Sequence, residues 1–359
     1  MDSTADNIYF DHDGVCNYCR DFTERYMSSI NIDPVIKKEN LNNFIKKVKE
    51  NGKGKQYDCI IGVSGGVDSS WVLVKAVEWG LRPLAVHMDN GWNSELAQNN
   101  IENLICTLGV DLYTHVIDWH EYRGLMQAFF DSDVIDIELL YDNAMLSVNY
   151  QMARKYGLKH LLSGSNMATE GMRIPSSWVS FKYDKKNIKS ISKSKGGPSL
   201  STFPAIGTIG YIFNQYISGI KWVSTLDFID FNKDEALRVL ATKYNYKPYP
   251  FKHYESIFTR FYQGYLLPEK FGVDKRKVHL STLMLSGQLS RESALDLLTG
   301  IAYESDQMLL EDKRYFLKKM DWSDQDLKNY LKRKEIPHSF YGSERRMWDF
   351  FKKIYFSIN

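Results

Sequence analysis

The residues with the clearest chemical potential form the short string Ser64-Gly65-Gly66-Val67-Asp68-Ser69-Ser70. Gly65 and Gly66 have no Cβ atom, so the backbone can turn sharply and its N–H groups can approach an anion closely. The three serines add hydroxyl donors, and a helix that starts near Asp68 adds its positive N-terminal end. Asp68 would repel a bare phosphate, so we expect it to cap the helix or to help place Mg²⁺. The string therefore predicts a phosphate site.

The elements that must position this loop alternate along the chain. Short apolar runs predict five strands, at residues 57–63, 83–88, 112–117, 160–163 and 221–229. Helical patterns lie between them, at residues 68–79, 94–108 and 140–156. This alternation predicts an α/β fold with a doubly wound, parallel five-stranded sheet. Such sheets bind ligands beyond the carboxyl ends of their strands, which is where the loop lies.

Two other predicted strand ends carry polar residues that could reach the same ligand. The second strand ends in His87, Met88 and Asp89, and the fourth is followed by Gly164 and Asn166, with Glu170 further on. Taken alone, Asp89 would be interpreted as a helix cap and Asn166 as a turn residue. Because both follow strands of one sheet, we expect them near the phosphate loop.

The loop resembles the SGGxDS signature of the PP-loop ATP pyrophosphatases, which include NAD, GMP and asparagine synthetases and tRNA thiolases. It is not a Walker A loop, because no Gly-Lys-Ser/Thr follows. The resemblance implies that ATP binds with Mg²⁺ and that the loop holds the released pyrophosphate. It also implies that the nucleotide is contacted by the strand-end residues His87, Met88, Asp89, Gly164, Asn166 and Glu170.

Two later segments are dense in charged residues, with the sequences Lys252-His253-Tyr254-Glu255-Ser256 and Asp274-Lys275-Arg276. Cationic side chains of this kind can receive a phosphate-bearing or carboxylated substrate, although a salt-bridged helical subdomain fits equally well. Together with the segment at residues 11–19, they resemble the N-acetyl sugar amidotransferases. That family makes acetamidino sugars for lipopolysaccharide O-antigens and for nonulosonic acids.

The resemblance implies a reaction and assigns residues to it. The acetamido carbonyl oxygen attacks the α-phosphorus of ATP, pyrophosphate leaves into the loop, and ammonia then replaces AMP. We expect catalytic roles for Asp68, Lys252, His253 and Glu255, and substrate contacts from Arg260, Arg276 and His279. Ammonia is expected from a separate HisH-like glutaminase through a HisF-like channel subunit. Two alternatives stay open, a PP-loop tRNA thiolase and a non-catalytic nucleotide-binding subunit.

The cysteine pair Cys16 and Cys19 is typical of a metal or redox motif in a reducing compartment. The amidotransferase family usually has another Cys-x-x-Cys upstream, which completes a four-thiolate zinc site. The sequence begins at Met1, and within it the pair provides half of such a site. His12 or a residue from elsewhere could complete the set, but we expect no zinc here. Cys59 and Cys106 are expected to act as small hydrophobic residues.

Composition limits the classes of partner and the location. The 46 basic and 44 acidic residues give a net charge of +2, which argues against a nucleic-acid partner. No signal-peptide pattern and no apolar stretch of membrane length is present, so we expect a cytoplasmic protein. We expect a Cys-bearing segment at 1–50, the ATP domain at 51–232 and a helical substrate or partner subdomain at 233–359. Residues 170–210 are expected to form a loop over the site, and a homodimer stays open.

Overall fold

The computed structural model describes residues 1–249 and 254–358, without the side chains of 354–358. Five strands form one sheet, namely β1 (Cys59–Gly62), β2 (Pro83–Asp89), β3 (Asp111–Val116), β4 (His160–Ser163) and β5 (Lys221–Ser224). Their order is β3-β2-β1-β4-β5, and every neighbouring pair is parallel. The chain adds β2 and β3 on one side of β1 and then β4 and β5 on the other side. This change of side between β1 and β4 creates a crevice beyond their carboxyl ends. The expected doubly wound α/β fold is confirmed.

Helices lie between the strands and continue beyond them. The first nine are α1 (Asn17–Ser29), α2 (Pro34–Gly52), α3 (Val67–Glu78), α4 (Glu95–Leu108), α5 (Trp119–Asp131), α6 (Leu139–Lys155), α7 (Met167–Glu170), α8 (Lys185–Ser194) and α9 (Thr208–Ile212). The others are α10 (Lys233–Tyr244), α11 (Ile257–Phe261), α12 (Leu267–Phe271), α13 (Arg276–Leu285), α14 (Arg291–Leu298), α15 (Asp306–Met320), α16 (Asp324–Lys332) and α17 (Arg345–Ile358). None of these helices is both long and apolar enough to cross a membrane.

The central strand β1 is buried on both faces because successive side chains of a strand point to opposite sides. Ile60 packs into the apolar layer shared with α5 and α6, whereas Cys59 and Ile61 pack into the layer shared with α3 and α10. Each of the three side chains is completely buried. An uninterrupted apolar run is therefore what a central parallel strand requires.

Helix boundaries follow local capping signals where those signals are strong. Ser94 accepts a hydrogen bond from the Ala97 N–H and caps α4, and Gly109 ends the same helix with a φ of 64°. The predicted helix at 94–108 therefore agrees with α4 to within one residue. The predicted strand at 221–229 is too long, since it becomes a 3₁₀ turn at Thr225–Phe228. There Asp227 accepts a hydrogen bond from the Met167 N–H at 2.8 Å, a contact that sequence patterns do not show.

The segment that was expected to form a loop over the site is ordered differently. It contains α8, whose Ile188 and Ile191 are completely buried and whose partner is α5. Further along, the Glu121 carboxylate of α5 accepts hydrogen bonds from the backbone N–H groups of Ser201 and Thr202. These contacts hold residues 185–202 on the α5 side of the molecule. The expectation was wrong because two isoleucines among many serines and lysines are enough to anchor a short helix.

The region after β5 is helical, as expected. Residues 257–271 form one continuous stretch of α11, a π-helical turn at Tyr262–Leu266 and α12. Gly264 in this turn packs so closely that a Cβ atom would lie 2.7 Å from the Tyr303 ring. Of the individual helices, α15 and α17 in this region and α5 between β3 and α6 were not predicted. Phe316 of α15 is completely buried, so this helix belongs to the apolar core.

Candidate functional site

The loop between β1 and α3 has the conformation that its glycines predict. Gly65 has a φ of +84°, and a Cβ atom there would lie 2.9 Å from the Ala97 carbonyl oxygen. The hydroxyl groups of Tyr246 and Tyr249 donate hydrogen bonds to the Gly65 carbonyl oxygen at 2.8 and 3.2 Å. Two donors from the region after α10 therefore fix the conformation of this loop.

The N-terminus of α3 lacks a side-chain cap. Gly66 is the N-cap residue, and it has no side chain that could accept a hydrogen bond from the first turn. The expectation that Asp68 caps the helix is therefore wrong, because Asp68 lies inside the first turn. A twelve-residue helix with uncapped N–H groups and a positive end is a suitable binding site for an anion.

Hydroxyl groups extend this donor surface. Ser64 Oγ and Ser69 Oγ lie 3.3 Å apart, and the Gly66 N–H donates to Ser64 Oγ at 3.2 Å. Ser70, by contrast, is buried, with 2% of its surface exposed. Ser64 and Ser69 are partly exposed at the loop, and Ser69 Oγ also donates a hydrogen bond to the Gly66 carbonyl oxygen at 3.2 Å.

A cavity of about 610 Å³ opens at the loop, beyond the carboxyl ends of β1 and β4. Eight of the residues predicted to hold the nucleotide line it, namely Ser64, Gly66, Val67, Asp68, Ser69, Met88, Gly164 and Glu170. Gly164 allows the two strand ends to approach, since a Cβ atom there would lie 2.7 Å from the Ser69 backbone nitrogen. The structure therefore gathers most of the predicted nucleotide site around one cavity.

Three other predicted nucleotide residues have structural contacts instead. His87 is buried and bonds through Nδ1 to the Val63 carbonyl oxygen at 2.8 Å. Asp89 accepts a hydrogen bond from the Gly91 N–H at 2.8 Å and shapes the turn after β2. Asn166 caps α7 by accepting from the Thr169 N–H at 2.9 Å. The simpler interpretations were therefore right that these two residues have local roles, but the roles are exchanged, since Asp89 shapes a turn and Asn166 caps a helix.

Glu255 reaches the loop from the region beyond the sheet. Its carbonyl oxygen accepts a hydrogen bond from the Ser94 N–H at 2.9 Å, and the Ile257 N–H donates to the Trp92 carbonyl oxygen at 2.8 Å. Its carboxylate lies beside Gly66, where a Cβ atom would be 3.2 Å from Glu255 Oε1. The predicted catalytic residues Lys252 and His253 lie outside the described residues.

A second cavity of about 340 Å³ adjoins the first, and Glu170 lines both. The three predicted substrate residues Arg260, Arg276 and His279 line this second cavity. Arg260 forms a two-pronged ion pair with Asp312, at 2.5 and 2.6 Å, and Arg276 likewise pairs with Asp274. The structure thus brings the predicted residues together, with both guanidinium groups held by internal carboxylates.

Several residues of the first cavity were not singled out from the sequence. Tyr141, Asp142, Met145 and Asn149 line it from one face of α6, at helical spacing, and Lys233 lines it from the first turn of α10. The sequence offered one signal for these residues, since several of them are polar and lie on a predicted helix next to the strand ends. Lys233 is the one Lys or Arg among the described residues that line this cavity.

The cysteine pair forms a compact N-terminal turn at the start of α1. Cys16 caps α1 by accepting from the Cys19 N–H, and the two sulfur atoms lie 3.3 Å apart. His12 is exposed and lies beside Asp13. Burial raises the pKa of the Cys19 thiol to about 11. Cys59 is completely buried, as expected, whereas Cys106 is exposed on α4.

Among residues 1–249 and 254–358, no three His, Cys, Asp or Glu side chains form a group that could hold a metal ion. The pair Cys16 and Cys19 therefore provides two thiols, half of a tetrahedral zinc set. Magnesium is a different case, because it commonly binds through one or two carboxylates together with substrate phosphates and water. Asp68 and Glu255 line the first cavity and are carboxylates of the required type.

The C-terminal region matches a family model. Residues 255–355 match the model described as "LPS biosynthesis protein WbpG-like, C-terminal domain". The matched region begins at Glu255 and includes every described residue that was predicted to contact the substrate. The match confirms the resemblance to a family of lipopolysaccharide-biosynthesis proteins for this part of the chain.

Solved structures resemble the chain only distantly. They include an NMN synthetase from Francisella tularensis, with 17% identity and a TM-score of 0.31, over 62% of this chain and 100% of the other. An NH₃-dependent NAD synthetase from Campylobacter jejuni has 17% identity and a TM-score of 0.30, over 59% of this chain and 84% of the other. A protein described as a predicted subunit of tRNA methyltransferase, from Methanocaldococcus jannaschii, has 12% identity and a TM-score of 0.29, over 51% of this chain and 75% of the other. No curated protein matches the chain.

Proposed function

We propose that this chain is an AMP-forming, ATP-dependent amidotransferase that converts the acetamido group of an N-acetylated bacterial sugar into an acetamidino group. The observation that carries this proposal is the meeting of two cavities. Glu255, at the start of the WbpG-like region, lies beside the phosphate loop. Other residues of the WbpG-like region line the second cavity, and this cavity meets the first one at Glu170. A nucleotide in one cavity and an acceptor in the other would come together at this junction.

The first cavity suits ATP for electrostatic reasons. The N-terminus of α3, the loop N–H groups and two serine hydroxyls favour a polyphosphate, and Lys233 adds a positive charge. Mg²⁺ held by Asp68 and Glu255 would neutralise phosphate charge and compensate for the carboxylates that line the cavity. These groups would bind and orient the phosphates, and the loop would receive the departing pyrophosphate.

The chemistry needs activation of the amide, because an acetamido carbonyl is a poor electrophile. Its oxygen attacks the α-phosphorus, the bond between the α- and β-phosphates breaks, and pyrophosphate leaves. Ammonia then forms a bond to the carbonyl carbon, and AMP departs with the former amide oxygen. The enzyme contributes mainly in-line placement and charge stabilisation, so few side chains need to form covalent bonds.

The second cavity is our proposed acceptor site. Arg260 and Arg276 are held by Asp312 and Asp274, so we assign them to shaping the wall and His279 to the substrate side. Lys252 and His253 stay proposed as catalytic residues. We also propose that ammonia comes from a separate HisH-like glutaminase with a HisF-like channel subunit, and that the reaction takes place in the cytoplasm.

A mixing experiment tests the proposal. The chain is incubated with Mg-ATP, an ammonium salt and a panel of nucleotide-linked acetamido sugars and free nonulosonic acids. We expect AMP and pyrophosphate with one sugar only, together with the mass change of an O-to-NH exchange in that sugar. ATP cleavage that depends on tRNA instead would contradict the proposal and favour the thiolase. ATP binding without pyrophosphate release for any sugar would favour a non-catalytic subunit.

A further inference from the structure

The first cavity is also lined by a carboxylate from α6. Asp142 lies on the face of α6 that lines the cavity, next to Tyr141 and one turn before Met145. The same face continues to Asn149, whose amide is 3.4 Å from the position of a Cβ atom on Gly62 of β1. Asp142 is therefore held by a rigid helix beneath the strand that leads into the phosphate loop. Its side chain is 34% exposed.

Asp142 belongs to a charged network behind the cavity wall. Lys182 lies between two carboxylates, with Nζ 2.8 Å from Asp142 Oδ2 and 2.7 Å from Asp136 Oδ2. Asp136 also accepts a hydrogen bond from the Ser180 N–H at 2.6 Å, and its side chain is 1% exposed. Nearby, Glu138 pairs with Lys275 at 2.6 Å. Three carboxylates thus face two ammonium groups, which leaves one negative charge in excess.

The surroundings of Asp142 and Asp136 shift the pKa values of the two carboxyl groups in opposite directions. Burial raises the pKa of the Asp142 carboxyl. The charge of Lys182 lowers this pKa, but the negative charges of Glu138 and Asp136 offset part of that effect. For Asp136, burial acts in the same direction, but the charges of Lys182 and Lys275 lower its pKa overall. Of the two carboxylates that share Lys182, Asp142 therefore takes up a proton more readily than Asp136.

This difference suits proton uptake at the cavity. When Asp142 takes up a proton, Asp136 remains ionised and keeps the charge of Lys182 compensated. The network then passes from one excess negative charge to none, so proton uptake removes an unbalanced charge and does not create one. Proton uptake by Asp136 would instead be opposed by its backbone hydrogen bond and its lysine.

We propose that Asp142 is the general base of the amination step, an inference that rests on the proposed function. Ammonia brings three hydrogens, and the amidinium product keeps two of them on the new nitrogen. As the carbon–nitrogen bond forms and the carbon–oxygen bond to AMP breaks, the third proton passes from the attacking nitrogen to Asp142. The proton then leaves through the cavity to solvent, and AMP carries away the bonding electron pair.

Asp142→Asn separates this role from ATP binding. Asparagine keeps the size of the side chain, and Asp136 still pairs with Lys182, so we expect a folded enzyme, which thermal melting checks. With sugar and Mg-ATP but no ammonia, exchange between ATP and labelled pyrophosphate should stay within roughly threefold of wild type, since activation needs no base at this position. With an ammonium salt, acetamidine formation should fall roughly 100-fold or more.

Asp234→Asn is the matched control, because it removes another carboxylate, from α10, that lines the same cavity. It should leave the ratio of amination to pyrophosphate exchange unchanged. Equal losses of exchange and amination in Asp142→Asn would overturn the base role and indicate contact with the nucleotide. Full amination by Asp142→Asn would also overturn it. A wild-type enzyme that forms no acetamidine with any sugar would remove the proposed function and the base role together.

Discussion

Lys233 shows how the charges of the first cavity are distributed at the level of single residues. It is the one Lys or Arg among the described residues of that cavity. The carboxylates that line the same cavity are Asp68, Asp142, Glu170, Asp234 and Glu255. A polyphosphate in such surroundings depends strongly on each cation, because a low-dielectric cavity strengthens every charge interaction.

Replacing Lys233 tests this dependence. We expect Lys233→Met to lower the rate of pyrophosphate release roughly 100-fold, since one preorganised donor at developing charge typically contributes that much. Lys243→Met removes an exposed lysine from the last turn of the same helix and should leave the rate unchanged. Release at the wild-type rate by Lys233→Met would show that this lysine does not act on the phosphates.

Residue types alone were less informative at His87, Asp89 and Asn166. Each has a side chain that could bind a nucleotide, and each follows a strand of the correct sheet. In the structure Asp89 and Asn166 accept hydrogen bonds from backbone N–H groups two or three residues further along the chain, whereas His87 bonds to the Val63 carbonyl oxygen beside the neighbouring strand β1. Local hydrogen bonding of this kind competes with ligand binding, and its outcome depends on backbone geometry that the sequence does not specify.

At the level of elements, the end of β4 and the first turn of α3 touch backbone to backbone. A Cβ atom on Gly164 would lie 2.7 Å from the Ser69 nitrogen and 2.8 Å from the Asp68 carbonyl carbon. Backbone atoms cannot rotate aside as a flexible side chain can. The first cavity therefore depends on the absence of a side chain at this position.

Gly164→Ala should displace the first turn of α3. Overpacking of this kind costs about 1–3 kcal/mol, and the displaced N–H groups would bind phosphate less well, so we expect ATP affinity to fall roughly tenfold. Isothermal titration with a non-hydrolysable ATP analogue measures the change. Gly62→Ala is the control, because its methyl group would meet only the Asn149 amide, at an ordinary 3.4 Å. Equal affinities in the two variants would contradict the steric argument.

At the level of the whole molecule, long-range contacts join regions that are far apart in sequence. His338, near the C-terminus, accepts a hydrogen bond from the Asp136 N–H at 3.2 Å and bonds through Nδ1 to Asn187 Oδ1 at 2.7 Å. Burial lowers its pKa to about 4. Burial likewise lowers the pKa of His160, in β4, to about 4.

These histidines predict an acid-sensitive fold. Both have pKa values lowered from 6.5 to about 4, so between these limits the unfolded chain binds more protons than the folded one. Their contribution to stability is complete above pH 6.5 and is lost as the pH falls towards 4, by roughly 1–3 kcal/mol for each histidine. Urea denaturation at several pH values measures this loss. His338→Gln should show a shallower dependence, and an identical slope would exclude His338 as a contributor.

The sequence by itself determined the sheet, the phosphate loop and the charged character of the region after β5. These follow from local rules, because strand burial, glycine conformation and helix caps depend on near neighbours. Only the tertiary structure decided which charges are available. It holds Arg260 with Asp312, brings Glu255 beside Gly66, and adds Asp142 and Lys233 to the cavity. Such contacts join residues far apart in the chain, and their geometry is set by packing, which residue types and spacing do not encode.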